Sequence, residues 1–185
     1  MRRFLTGLLV CGLCFAAATG AAAARRQDEA ARARELAATF NKNKHKVKDK
    51  RGVRLEVFVE VRGEPALRES PADYSGTYVS EPDYALELRV SAGGDAEGAG
   101  SEPSAGGVRK FTLRGARVSG ALLTGTKVYE DGGTEERIEG VFINRRERHS
   151  AHDAGTATFG LGVVFDQPKK GHGFEIGRLF YAARR

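Results

Sequence analysis

From Val53 to Arg62 apolar and polar residues alternate without a break. Val53, Leu55, Val57, Val59 and Val61 take one face; Arg54, Glu56, Phe58, Glu60 and Arg62 take the other. A spacing of two marks a β-strand with one face buried. The same spacing recurs in Tyr74, Gly76 and Tyr78 of Y-S-G-T-Y, and in Tyr84, Leu86, Leu88 and Val90. Val108–Ala116 carries Phe111 and Leu113. Arg117–Tyr129 carries Val118, Leu122 and Val128, with Gly120 and Gly125 predicting bends or bulges. Glu135–Asn144 places Ile138, Gly140 and Phe142 on one face, Val141 and Ile143 on the other. Thr156–Asp166 aligns Phe159, Leu161, Val163 and Phe165, and Phe174–Ala182 aligns Phe174, Ile176 and Phe180. Turn signals separate these runs at Gly63-Glu64-Pro65, Asp131-Gly132-Gly133 and Gln167–Gly173. A helical spacing appears in Arg25–Asn41, which is Ala-rich and free of Gly and Pro. Ala33, Leu36, Ala37 and Phe40 form its narrow apolar stripe.

About eight strands in hairpin order predict a mainly β chain folded as a single antiparallel β-barrel, with a two-sheet sandwich as the competing arrangement. Residues 25–51 read as a helix and basic linker, and 52–185 as the barrel domain. Within the domain, 91–107 (S-A-G-G-D-A-E-G-A-G-S-E-P-S-A-G-G) has no large apolar residue and is expected to be a flexible loop inserted in a hairpin. Arg145–Ala154 reads as a charged loop.

The first 24 residues change the picture of where this domain works. Met1-Arg2-Arg3 is a positive start, Phe4–Ala18 an uncharged, mostly apolar run, and Ala21–Ala24 offers an A-x-A cleavage site. This is the layout of a secretory signal peptide; a retained anchor is the alternative. The chain is therefore expected to be exported, periplasmic or extracellular, with no transmembrane segment after cleavage. The twin-arginine route expects a spacer before Phe-Leu, which this chain lacks. Both cysteines, Cys11 and Cys14, lie within the signal and follow Val10 and Leu13, the wrong neighbours for lipidation. The mature domain would then hold no disulfide and depend on its core alone. The 30 basic and 24 acidic residues give +6, and loss of Arg2 and Arg3 brings this to +4. So mild an excess favours weak attraction to anionic surfaces and does not point to nucleic acid.

The most basic stretch is N-K-N-K-H-K-V-K-D-K-R, with Lys42, Lys44, Lys46, Lys48 and Lys50 at alternate positions. It reads either as a site for an anionic envelope component or as a solvated leader whose lysines guard a strand edge. His149, His152 and Asp153 place three ligand-type side chains within five residues, without the H-E-x-x-H form; a polar surface loop is the plainer reading. G-x-S-x-G and G-x-G-x-x-G are both absent, and the pair Glu135-Glu136 flanks a turn and reads as solvated. No catalytic constellation and no cofactor is indicated. Tyr74, Tyr78, Tyr84, Phe111, Phe142, Phe159 and Phe165 fall at strand spacing, so they line a cavity for a small lipophilic ligand or fill the core.

Tyr74, Gly76, Thr77 and Tyr78, followed by the alternating strand at 84–90 and by Phe111-Thr112-Leu113, resemble the small lipocalin-like β-barrel domain of unknown function appended to exported bacterial serine β-lactamase-like hydrolases. The resemblance spans Asp73–Val118. The chain departs from the pattern in lacking the hydrolase, in its Ala/Gly insertion and in the strands after Thr126. What the resemblance implies is a lipocalin-like barrel and an accessory role, and it carries over no catalytic residue. The resulting expectation is an exported, non-enzymatic barrel that binds a small apolar or amphipathic ligand or acts as an envelope accessory module. The alternative is an interaction protein using 42–51, and a hydrolase or metalloprotein at His149–Asp153 is a third reading.

Overall fold

The computed structural model describes residues 24–50, 52–80, 83–132, 135–150, 152–168 and 174–184; of 48–50, 53–56, 166–168 and 174–176 it describes the backbone. The proposed signal (residues 1–24, apart from Ala24), Arg51, Gly133, Ala151 and residues 169–173, which hold His172 and most of the turn expected at Gln167–Gly173, lie outside the described residues. A helix α1 spans 24–39. Among the described residues ten strands follow: β1 (Lys42–Lys50), β2 (Val53–Pro65), β3 (Gly76–Ser80), β4 (Tyr84–Val90), β5 (Asp95–Ser104), β6 (Gly107–Ser119), β7 (Leu122–Tyr129), β8 (Glu136–Arg148), β9 (Thr156–Pro168) and β10 (Phe174–Ala183). A 3-10 turn at Pro71–Tyr74 precedes β3.

Each strand from β3 to β10 pairs antiparallel with the next in sequence, and β10 returns to β3 through Ala182↔Val79 and Ala183↔Tyr78. This makes a closed eight-stranded antiparallel barrel. The closing seam is short, and Arg184 N–H adds a bond to Thr77 O at 2.8 Å. The remaining pair, β1 and β2, is a hairpin outside the barrel. Glu60–Pro65 of β2 joins the Arg148–Ile143 end of β8, while the rest of β2 pairs with β1 alone.

Two sequence expectations are corrected. Residues 91–107 are not a flexible loop, because 95–104 forms β5, a barrel stave paired on both edges. Its inward positions are Ala96, Gly98, Gly100 and Glu102, so small residues replace the large apolar ones that mark a strand. They are small because Leu113 and Phe111 of β6 lie across them. A Cβ at Gly100 would sit 2.5 Å from the Phe111 ring and 2.4 Å from Ala85 O. Residues 42–50 are not a linker but the edge strand β1. The count of eight thus agrees for a different set of strands, since Val53–Arg62 stands outside the barrel and β5 stands within it.

Local geometry accounts for smaller differences. Tyr74 belongs to the 3-10 turn rather than to an extended segment. The boundary expected after Ala116 falls instead at Gly120, where φ is +56°. β6 runs through a bulge between Arg114 and Arg117, with Gly115 at φ +59°. That extra residue switches the inward set from Phe111 and Leu113 to Ala116 and Val118. The expected loop at 145–154 begins later, since β8 continues to Arg148.

The sheet is buried on both sides near β8. Inside, Tyr74, Tyr78, Leu88, Phe111, Leu123, Phe142 and Leu161 form the main core. Outside, Ala33, Leu36 and Ala37 of α1 cover Leu122, Val141 and Ile143, with Phe40 packed alongside. The predicted stripe is therefore the docking face of α1. Arg32 clamps the helix to β8 through two bonds to the Glu139 carboxylate, at 2.8 and 2.6 Å. Gly162 leaves room for the Phe40 ring, which a Cβ there would approach to 2.7 Å.

Gly100→Ala provides the test of β5. In a mobile loop it would be neutral; in a packed stave it should lower stability by about 2 kcal/mol, measured by urea denaturation.

Candidate functional site

The seven aromatics predicted to line a cavity all belong to the barrel's interior set or its margin. Tyr74, Tyr78, Phe111 and Phe142 are fully buried, and Tyr84, Phe159 and Phe165 are half-buried. Tyr74 stacks on Phe142 at 4.1 Å between ring centroids, and Tyr78 and Phe159 also contact Phe142, at 5.8 and 6.3 Å. The Tyr74 hydroxyl donates to Ala66 O at 2.6 Å and accepts from Arg68 N–H at 3.0 Å. The Tyr78 hydroxyl donates to Tyr74 O at 2.5 Å. The connection before β3 thus plugs one end of the barrel with its own tyrosine, and the rings of Tyr74, Tyr78, Phe142 and Phe159 pack on one another within it.

The opposite end is polar. Lys127, on β7, points inward and is 5 % exposed. Its Nζ lies 2.7 Å from Glu102 Oε2 of β5 and 3.7 Å from Glu136 Oε2 of β8. The Tyr129 hydroxyl is 2.7 Å from both Glu102 Oε1 and Glu136 Oε2, one proton facing two acceptor oxygens. Phe111 and Phe165 flank the ammonium at 4.8 and 5.8 Å from their centroids. Arg109 covers the outer face of the Tyr129 ring at 3.5 Å. Burial and then the two carboxylates push the Tyr129 phenol well above its usual range. Burial alone leads the upward shifts of Tyr74, Tyr78 and Tyr181.

Sequence reasoning missed this cluster. Lys127 and Tyr129 share the parity of Leu123 across T-G-T, which is the signal that would have placed a lysine inside. By sequence Glu102 falls in the stretch expected to be a flexible loop, and Glu136 in the pair that reads as solvated beside a turn. Of that pair only Glu135 is turned outward, where it bonds Arg114.

The lysine run forms a third locus. The β1–β2 register sets Lys42, Lys44 and Lys46 opposite Val61, Val59 and Val57, and continues through Lys48↔Leu55 and Lys50↔Val53. Residues directly opposite in an antiparallel pair share a face. Lys42, Lys44 and Lys46 are exposed, and Val57 is 36 % exposed. Asn43, His45 and Val47 lie on the other face, where His45 meets Phe58 edge-on at 6.1 Å.

His149 and His152 are exposed on the β8–β9 loop. Asp153 accepts from Gly155 N–H at 2.8 Å and His149 N–H at 3.1 Å, so it fastens the loop. These backbone bonds hold its carboxyl below the usual range. Among the described residues no three His, Cys, Asp or Glu side chains are grouped to hold a metal. Nearby, Glu60, Arg62, Arg146, Arg148 and Asp153 border an open cleft of about 430 Å³.

Two outcomes test the interior. Lys127→Met leaves Glu102 and Glu136 facing each other without their cation, and should cost about 2 kcal/mol in urea denaturation, below the full loss for a wholly buried pair because both glutamates reach solvent. The folded state holds the protons of Tyr74, Tyr78, Tyr129 and Tyr181 more tightly than the unfolded chain, whose phenols ionise near pH 10. Their contribution is therefore whole below about pH 10 and falls above it, by about 1.4 kcal/mol per pH unit for each tyrosine. Tyrosinate absorbance should rise together with loss of β-structure in alkali.

Scans against family models, curated proteins and solved structures find no match to this chain, and the functional reading rests on the geometry above.

Proposed function

We propose that the chain is an exported, non-enzymatic β-barrel that serves as an envelope accessory module and engages an anionic partner through the β1–β2 hairpin. One observation carries this reading: the register that gathers Lys42, Lys44 and Lys46 on a single exposed face. Glu60 on the other face is already taken by Arg62 at 2.8 Å and Arg148 at 3.3 Å. Edge protection alone would not require every lysine of β1 on one side. The signal-like start and the up-and-down order of the barrel strands, the order expected of a lipocalin-like domain, fit an exported accessory role.

A second reading keeps the barrel as carrier of a small amphipathic ligand. The charged end favours it: a polar head would meet Lys127, Glu102 and Glu136. The tail, however, would have to displace rings that already pack on one another. Mass spectrometry of an organic extract of the protein separates the two readings, since a carrier would yield a stoichiometric small molecule.

For the hairpin, binding to dextran sulfate should be measurable at low ionic strength and fade as salt rises. Replacing Lys42, Lys44 and Lys46 by glutamine should weaken it at least tenfold with the fold unchanged by circular dichroism. Salt-independent binding, or equal binding by the variant, would refute the reading.

A further inference from the structure

A soluble polyanion needs only the lysines, yet the face that carries them is half aliphatic. In the register each lysine of β1 stands opposite a valine or leucine of β2, and Lys42, Lys44 and Lys46 opposite Val61, Val59 and Val57 place a cationic column beside an apolar one. Successive residues on one face of a strand are roughly 6.8 Å apart, so the five lysine positions span roughly 27 Å. Val57 is the exposed member of the apolar column, while Val61 is buried. The hairpin stands clear of the barrel: only Glu60–Pro65 of β2 is paired to β8, and Val53–Val59 has β1 as its sole neighbour in the sheet. Lysines on long stems beside short branched aliphatics suit an interface between water and hydrocarbon. The ammonium groups reach the headgroup layer while the stems and valines rest against the acyl boundary.

From this juxtaposition we infer that the Lys42–Lys46/Val57–Val59 face of the hairpin docks on an anionic lipid bilayer. The inference rests on the hairpin reading above and names its partner. Charge complementarity selects acidic headgroups, and the exposed valine selects a membrane over a soluble polyanion. The barrel remains outside the bilayer, because its outer wall carries the exposed charges Glu87, Arg89, Arg114 and Arg117 and is covered by α1 at β7–β9.

The chain has no tryptophan, so a single one reports its own surroundings. Val57→Trp places it on the lysine face. Val108→Trp places it at the barrel's other end, on a residue that is 59 % exposed. Vesicles of phosphatidylcholine with and without phosphatidylglycerol are added to each, and dextran sulfate serves as the lipid-free polyanion. The expected result is a blue shift of the Val57→Trp emission with the acidic vesicles alone, and an unmoved Val108→Trp emission. Replacing Lys42, Lys44 and Lys46 by glutamine in wild type should reduce the affinity read from sedimentation with acidic vesicles roughly a hundredfold, at about a fivefold loss for each lysine.

Binding to dextran sulfate without a blue shift on vesicles would overturn the inference and leave the anionic-partner reading standing. Binding to neither would overturn both. Equal shifts with neutral and acidic vesicles, or concentration-dependent self-association with no vesicle binding, would also overturn it.

Discussion

The structure depends on the burial of one strand on both of its faces. Val141, Phe142 and Ile143 of β8 have no solvent exposure. Phe142 turns into the barrel against Tyr74, while Val141 and Ile143 turn outward under α1. The backbone of Phe142 is occupied too: its N–H donates to Ala121 O, and its C=O accepts from Ala66 N–H, each at 2.8 Å. β8 also pairs with β7 and β2 along one edge and with β9 along the other. Helix, barrel, plug and hairpin all meet on this strand. A polar residue at Val141 would lose an interface that Leu36 and Ala37 complete, so the helix is part of the fold rather than an appendage.

This arrangement divides the molecule. Inside the barrel, aromatic rings contact one another and every tyrosine hydroxyl at the plugged end has a partner. The only buried charged side chain among the described residues, Lys127, is held by carboxylates from two other strands. Such a network is costly to disturb, because removing one member leaves the others desolvated and unpaired. The interior is thus committed to stability. The hairpin has the opposite character: it is tied to the barrel over a few residues and presents Lys42, Lys44 and Lys46 as exposed cations.

Sequence patterns revealed the elements whose inward positions are large and apolar. β4 and β9 follow the period of two without interruption, and α1 docks through the four residues of its predicted stripe. β5 was hidden because its alternation is between small and polar residues, the small ones being demanded by Phe111 and Leu113. β1 was hidden because a lysine at every second position looks like a charge run, although the alternation itself was the strand signal. The bulge at Gly115 broke the parity of β6, and a one-residue change of phase is invisible to a strict period. The polar cluster escaped because its members come from β5, β7 and β8, and pairing across strands is not written in local spacing. The lysine face was legible as composition; that its lysines share one side with the valines required the register.

Native-state hydrogen exchange with and without acidic vesicles tests the division between a committed interior and a working hairpin most directly. Added vesicles should slow exchange within 42–61 and leave the amides of 102, 127–129 and 136 unchanged. Protection arising at those interior positions while the hairpin is unaffected would contradict it and return the function to the barrel.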